Sequence, residues 1–125
     1  MARKDALPSL ESLMYQYETD KSKDDHKYSD LYSMLFDPIR HVVRNITEVG
    51  VMSGQSIKVW HEYFDGANIY GIDDFAYYSL EQIRSNLNSF ERATLIHANS
   101  QSEHQIASIG FMVGSMDIII DDASH

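Results

Sequence analysis

Two carboxylates and an imidazole fall within the segment Asp121-Asp122-Ala123-Ser124-His125, directly after the apolar run Ile118-Ile119-Ile120. Such a set supplies a hard-metal ligand and a general base together. A metal beside a bound hydroxyl lowers its pKa, so that a neutral histidine can remove the proton. The bland alternative is a polar loop with an incidental histidine. A second concentration is Thr47-Glu48-Val49-Gly50-Val51-Met52-Ser53-Gly54-Gln55-Ser56, an acid and two glycines where an apolar strand turns toward a helix. Gly50 permits a sharp exit from the strand, and Gly54 permits close approach of a ligand or of the helix N-terminus. The spacing is not the G-x-G-x-x-G of a dinucleotide site, which counts against a nicotinamide or flavin. Glu48 would be poorly placed against a pyrophosphate and well placed against a cationic, amino-acid-like group. A structural turn explains the glycines equally well. Asp73, at the end of Asn68-Ile69-Tyr70-Gly71-Ile72, is suited to accept hydrogen bonds from ribose hydroxyls, with Asp74 as its neighbouring candidate; an acid opening a turn is the alternative. Asn99, Ser100 and Gln101 follow a third strand, where they could meet a base edge or make an ordinary turn.

These groups need elements to hold them. The hydrophobic pattern predicts a first helix near Ser9 with Leu10, Leu13, Met14 and Tyr17 on one face. A second carries Tyr28, Leu31, Tyr32, Leu35 and Phe36 as far as Asp37-Pro38. Strands are expected near 45–50, 68–72, 93–97 and 116–120. A helix with Ile57, Trp60 and Phe64 on one stripe follows the glycines. The capping boxes Ser79-Leu80-Glu81-Gln82 and Ser102-Glu103-His104-Gln105 open two more, the first with Leu80, Ile83, Leu87 and Phe90 inward, the second with Ile106 and Ile109. This alternation implies an α/β fold: a Rossmann-like, doubly wound parallel sheet with right-handed crossovers and strand order 3-2-1-4. In such a sheet ligands bind at the carboxyl ends of the strands, which is where the acids and glycines fall. The chain therefore reads as one domain holding a nucleotide-type cofactor, with a helical lid region at 1–44 and the cofactor-binding half at 45–125.

Bulk properties narrow the partners. The 125 residues carry a net charge of −9, and residues 59–125 contain ten acids against only Arg84 and Arg92. A body this acidic repels phosphate backbones, so nucleic acid is not expected as a partner, whereas a cationic cofactor or a metal is. There is no run of about 20 apolar residues for a membrane span and no apolar secretory core near Met1. With no cysteine there is no disulfide framework, and a cytoplasmic setting is the expectation.

Five segments occur in register: Thr19-Asp20-Lys21, His26-Lys27-Tyr28, Glu48-Val49-Gly50-Val51, Tyr70-Gly71-Ile72-Asp73 and Asp121-Asp122-Ala123-Ser124-His125. Together they resemble the class I S-adenosylmethionine-dependent methyltransferases, in particular the metal-dependent sugar O-methyltransferases of macrolide and related antibiotic pathways. The resemblance covers about residues 18–125. It implies that Glu48, Gly50 and Gly54 surround the methionine part of S-adenosylmethionine and that Asp73 meets its ribose. It further implies Asp122, with Asp121 as a second candidate, as ligands of Mg2+ and His125 as the base that deprotonates a sugar hydroxyl. Thr19, Lys21, His26 and Tyr28 would form a lid or cofactor-side wall. Three positions depart from the family pattern. Met52 replaces a glycine of the cofactor loop, Asn99 an aspartate, and Ala123 a glycine in the turn that aims His125.

The leading expectation is thus methyl transfer from S-adenosylmethionine to a hydroxyl of a sugar or glycoside. The family's Glu-Asp pair, which completes the metal site, would follow the last residue here. A second expectation is therefore a non-catalytic cofactor-binding or interaction domain, whose exposed sheet edge is covered by another chain or a second copy. A nicotinamide-dependent oxidoreductase ranks third, on the glycine spacing.

Overall fold

The computed structural model describes residues 8–17, 26–98 and 116–121; for 26–29 and 121 the description is of the backbone. The expected second capping box at Ser102 and its helix lie outside the described residues. At the amino end, Ser9 caps α1 (Leu10–Gln16) by accepting from the Ser12 amide at 3.2 Å, and Leu10, Leu13 and Met14 are buried. α2 (His26–Phe36) runs into a 3₁₀ turn, Asp37–Ile39, where Pro38 stops the helix. Then follow β1 (Asn45–Val49), α3 (Gln55–Tyr63), β2 (Asn68–Asp73), α4 (Leu80–Asn86), β3 (Ala93–His97) and β4 (Ile118–Asp121).

All three strand pairings are parallel and the order is β3-β2-β1-β4, as the pattern predicts. Glu48 pairs with Gly71 on one side and Ile120 on the other; Asp73 pairs with His97, and Val49 with Asp121. The four carboxyl ends therefore share one edge. On one face of the sheet Ile46, Ile69, Ala93, Leu95, Ile118 and Ile120 pack with Ile57, Trp60, Phe64, Ile83 and Leu87 in a single core that α1 also enters. Trp60 is enclosed by Tyr32 and Phe36, ring centroids 5.8 and 6.2 Å away at near-perpendicular angles. Each fully buried side chain of this size is worth about 1.5–3 kcal/mol. The opposite face holds a smaller cluster of Val49, Ile72, Ala98 and Ile96.

Three boundaries differ from the pattern, each for a local reason. The helical spacing through Leu80, Ile83, Leu87 and Phe90 outlasts its helix. Leu87 ends α4, and Phe90 reaches the core from a tight turn closed by its amide on the Leu87 carbonyl at 2.9 Å. Phe64 likewise lies one residue past α3 as its C-cap. β4 begins at Ile118 rather than 116, because the Asp117 carboxylate folds back to accept from the amides of Arg44 and Asn45 at 2.8 and 3.0 Å. Those two bonds hold the Asp117 carboxyl below the usual carboxylate range.

Candidate functional site at the carboxyl edge of the sheet

The Glu48–Gly54 segment leaves β1 and enters α3 through alternating left-handed residues: φ is +91° at Gly50, +54° at Met52 and +93° at Gly54. Gly54 is the N-cap of α3 and provides no side-chain cap. A Cβ there would lie 3.3 Å from Ile83 Cγ2 and 3.5 Å from Leu87 Cγ, so the close approach expected of this glycine is made by α4. Gly50 is tied down by its amide, which donates to the Ile72 carbonyl at 2.8 Å.

Asp73 joins the end of β2 to this loop. Its Oδ2 accepts from the amides of Val51 at 2.7 Å and Met52 at 3.2 Å, and its Oδ1 from the amide of Phe75 at 2.9 Å. Burial works to raise its pKa, but the three amides outweigh burial and hold the carboxyl below its usual range. Successive amides converging on one anion form a nest, and here the anion is the chain's own carboxylate. The Asp74 side chain is exposed and lies within hydrogen-bond reach of that of Asp73. Its Oδ1 accepts from the Ala76 amide at 3.0 Å. Phe75, at φ +56°, stacks on His97 with centroids 5.8 Å apart and planes 24° from parallel; His97 Nε2 lies 3.2 Å from the Asp74 carbonyl oxygen.

Glu48 is fully enclosed, at 0% exposure, on the core face of β1. Opposite it on β2, Gly71 has no room for a side chain: a Cβ would stand 2.8 Å from Val51 Cγ2. The backbone of Asp121 reaches the same edge, in register with Val49, directly below the glycine loop. Asp122, His125, Asn99, Ser100, Gln101, Thr19 and Lys21 lie outside the described residues, and of Tyr28 and His26 only the backbone, in the first turn of α2, is described. Among the described residues no group of three or more His, Asp or Glu could hold a metal ion.

The structure thus brings Glu48, Gly50, Asp73 and Asp74 together with the end of β4. Sequence reasoning missed the amides of Val51 and Met52, the space that Gly71 must leave, and the Phe75–His97 stack. An aromatic directly after Asp73-Asp74 and a histidine at the end of β3 were the available signals for that stack. A glycine turn set between the buried acid Glu48 and the carboxylates of Asp73 and Asp74 fits a cofactor that carries both an ammonium and a hydroxylated ring.

No family model matches the chain. It is 27% identical, over 94% of its length, to the L-olivosyl-oleandolide 3-O-methyltransferase of Streptomyces antibioticus. It is also 27% identical, over 95% of its length, to the 8-demethyl-8-alpha-L-rhamnosyl tetracenomycin-C 2'-O-methyltransferase of Streptomyces olivaceus. The matches cover 30% and 31% of those two relatives, so the chain spans about a third of their length. Among solved structures, the MycE methyltransferase of the mycinamycin biosynthetic pathway, in complex with Mg, SAH and mycinamycin VI, superposes with a TM-score of 0.81 at 25% identity. That superposition covers 96% of this chain and 31% of the other. In sequence and in fold, the chain is therefore similar to a part of the sugar O-methyltransferases of macrolide and tetracenomycin biosynthesis.

Proposed function

We propose that this chain carries the cofactor half of an S-adenosylmethionine-dependent O-methyltransferase whose acceptor is a sugar hydroxyl of a glycoside. The observation that carries the reading is the junction of β1 and β2. There a carboxylate at the end of one strand is clamped to the glycine turn of the next, beside a buried acid, at the carboxyl edge of a 3-2-1-4 parallel sheet. The likeness to methyltransferases that act on glycosides supports the choice of acceptor.

In this reading the bound cofactor supplies an electrophilic methyl group, and the protein supplies position. Glu48 meets the cofactor's ammonium, the Gly50–Gly54 turn lets its chain pass close to the backbone, and Asp73 and Asp74 serve the ribose. The base is assigned to Asn99 and Ser100, and the cofactor-side wall to Thr19, Lys21 and Tyr28. Asp122 and Asp121 would hold Mg2+, and His125 would take the acceptor proton, a role usually worth about 10²–10⁴-fold in rate. Holding both reactants in line contributes much of the remainder. Among the described residues no strand pairs with the outer side of β4, which is a place for a covering chain or a second copy.

Calorimetric titration with S-adenosylhomocysteine, and then with NAD, each with and without Mg2+, tests the proposal. Saturable binding of S-adenosylhomocysteine and none of NAD is expected. Binding of NAD alone would return the oxidoreductase, and binding of neither would remove the cofactor reading altogether.

A further inference from the structure

α2 is apolar on two sides. Tyr32 and Phe36 turn inward, stacked on each other with centroids 5.5 Å apart and set edge-on to Trp60. Leu31 and Leu35, which the helical spacing groups with them, are exposed, and so are Met34, Ile39 and Val42. Met34 and Val42 are each 68% exposed. Positions 31, 34, 35, 39 and 42 advance by steps of three or four along the helix and the turn that continues it, so they form one stripe. Single exposed apolar side chains are ordinary, whereas a contiguous row of them marks a contact surface.

The stripe cannot rotate onto the chain's own core. Phe36 packs on Phe64 with centroids 5.4 Å apart, and the buried Tyr63 hydroxyl donates to Asp37. Arg40 donates through Nε to the Tyr63 carbonyl at 3.0 Å, with its guanidinium 3.9 Å above the Tyr63 ring. These contacts hold the carboxyl half of α2 beside the end of α3 that leads into β2, away from the glycine turn.

Charge selects the occupant. Asp30 stands at the amino end of the stripe and Arg44 at its carboxyl end, both exposed. Two copies laid antiparallel about a twofold axis near Asp37 and Pro38 bring Asp30 of each beside Arg44 of the other. The same register sets Leu31 against Val42 and Leu35 against Ile39. The surface is thus complementary to itself, as an isologous contact requires, and Asp37, the acid nearest the axis, is engaged by Tyr63. We propose that this stripe is a homodimer interface, on which a second copy of the chain packs antiparallel along α2. The contact is independent of the cofactor reading and leaves the carboxyl edge of the sheet open.

Sedimentation velocity of the full chain over a wide range of concentration, at low salt, tests this. A reversible monomer–dimer equilibrium is expected. Met34→Lys and Val42→Lys change exposed positions, and far-UV circular dichroism checks that each variant stays folded. Each should weaken association by about tenfold or more, the scale of losing one apolar side chain from a contact. Asp30→Lys and Arg44→Glu should each weaken it by about two- to fivefold, as expected for a pair at a solvated rim, and their combination in one chain should restore it. A chain that is monomeric at every concentration would overturn the proposal and leave the stripe to a different partner. A dimer that neither lysine variant weakens would overturn it by placing the contact elsewhere. A double charge variant no stronger than either single one would refute the antiparallel register.

Discussion

A methyl group at position 71 would meet three neighbours at once: Val51 Cγ2 at 2.8 Å, Leu95 Cδ2 at 3.1 Å and Ile57 Cδ1 at 3.2 Å. Val51 is the residue whose amide bonds to Asp73 at 2.7 Å, so the clash falls on the candidate site as well as on the core. Gly71→Ala should cost about 1–3 kcal/mol, the range for overpacking. It should also weaken S-adenosylhomocysteine binding. Urea unfolding followed by titration checks both, and a variant unchanged in stability would show that Val51 moves aside freely. Met52 is the converse case. A left-handed L-residue carries roughly 1–2 kcal/mol of strain, and glycine's extra backbone freedom costs about 0.5–1 kcal/mol. With its side chain 50% exposed, Met52 has little packing to lose, so Met52→Gly should raise stability by up to about 1 kcal/mol. A lower unfolding midpoint would contradict this. At this scale the gathering of Glu48, Gly50 and Asp73 at the carboxyl edge of the sheet was legible from their types and positions. What was not legible is backbone. The amides of Val51 and Met52 belong to every residue type, and Gly71 sits unmarked inside an apolar run.

The last carbonyls of α3 have no partner within the helix. Arg92, well downstream in sequence, supplies one. Its guanidinium donates to the carbonyls of His61 at 2.8 Å and Phe64 at 3.1 Å and to that of Ala67, while its backbone amide donates to His61 Nε2 at 3.3 Å. One side chain thus fixes the end of α3, the loop into β2 and the start of β3. Arg92→Met keeps the apolar stem and removes the donors, and it should destabilise the fold by about 2–3 kcal/mol, the scale of hydrogen bonds to a charged group. Thermal unfolding of Arg92→Met beside Arg92→Lys measures it, and equal midpoints for wild type and Arg92→Met would dismiss the cap. The strands and their order were legible because right-handed connections leave few topologies for this alternation. Arg92 was not, since its partners are carbonyls; in the sequence it counts only as one of two bases in an acidic half.

For the whole molecule, the acid limb of the stability curve sums several groups with opposite signs. A chain of net charge −9 is relieved of self-repulsion as carboxylates protonate, which raises stability as pH falls toward its pI of about 4.9. Two site-specific groups oppose that trend. Burial, reinforced by nearby Arg92, lowers the pKa of His61 despite its 2.7 Å contact with Glu62. A histidine lowered in the fold binds protons more readily when unfolded. Its contribution is therefore complete above the unfolded value of about 6.5 and diminishes as pH falls below it. Asp73 is also lowered, so its contribution is complete above the unfolded carboxylate value of about 3.9 and is lost as pH falls through the folded one. The two windows do not overlap, and comparison with variants cancels the common relief of repulsion. Denaturant unfolding at constant salt should show wild type losing stability relative to His61→Gln between about pH 6.5 and 5. Its advantage over Asp73→Asn should hold through that interval and shrink only below about pH 4. A wild-type advantage over Asp73→Asn already declining near pH 6 would mean that the amide nest does not keep this carboxylate ionised, and the anchoring of the glycine turn would fail with it.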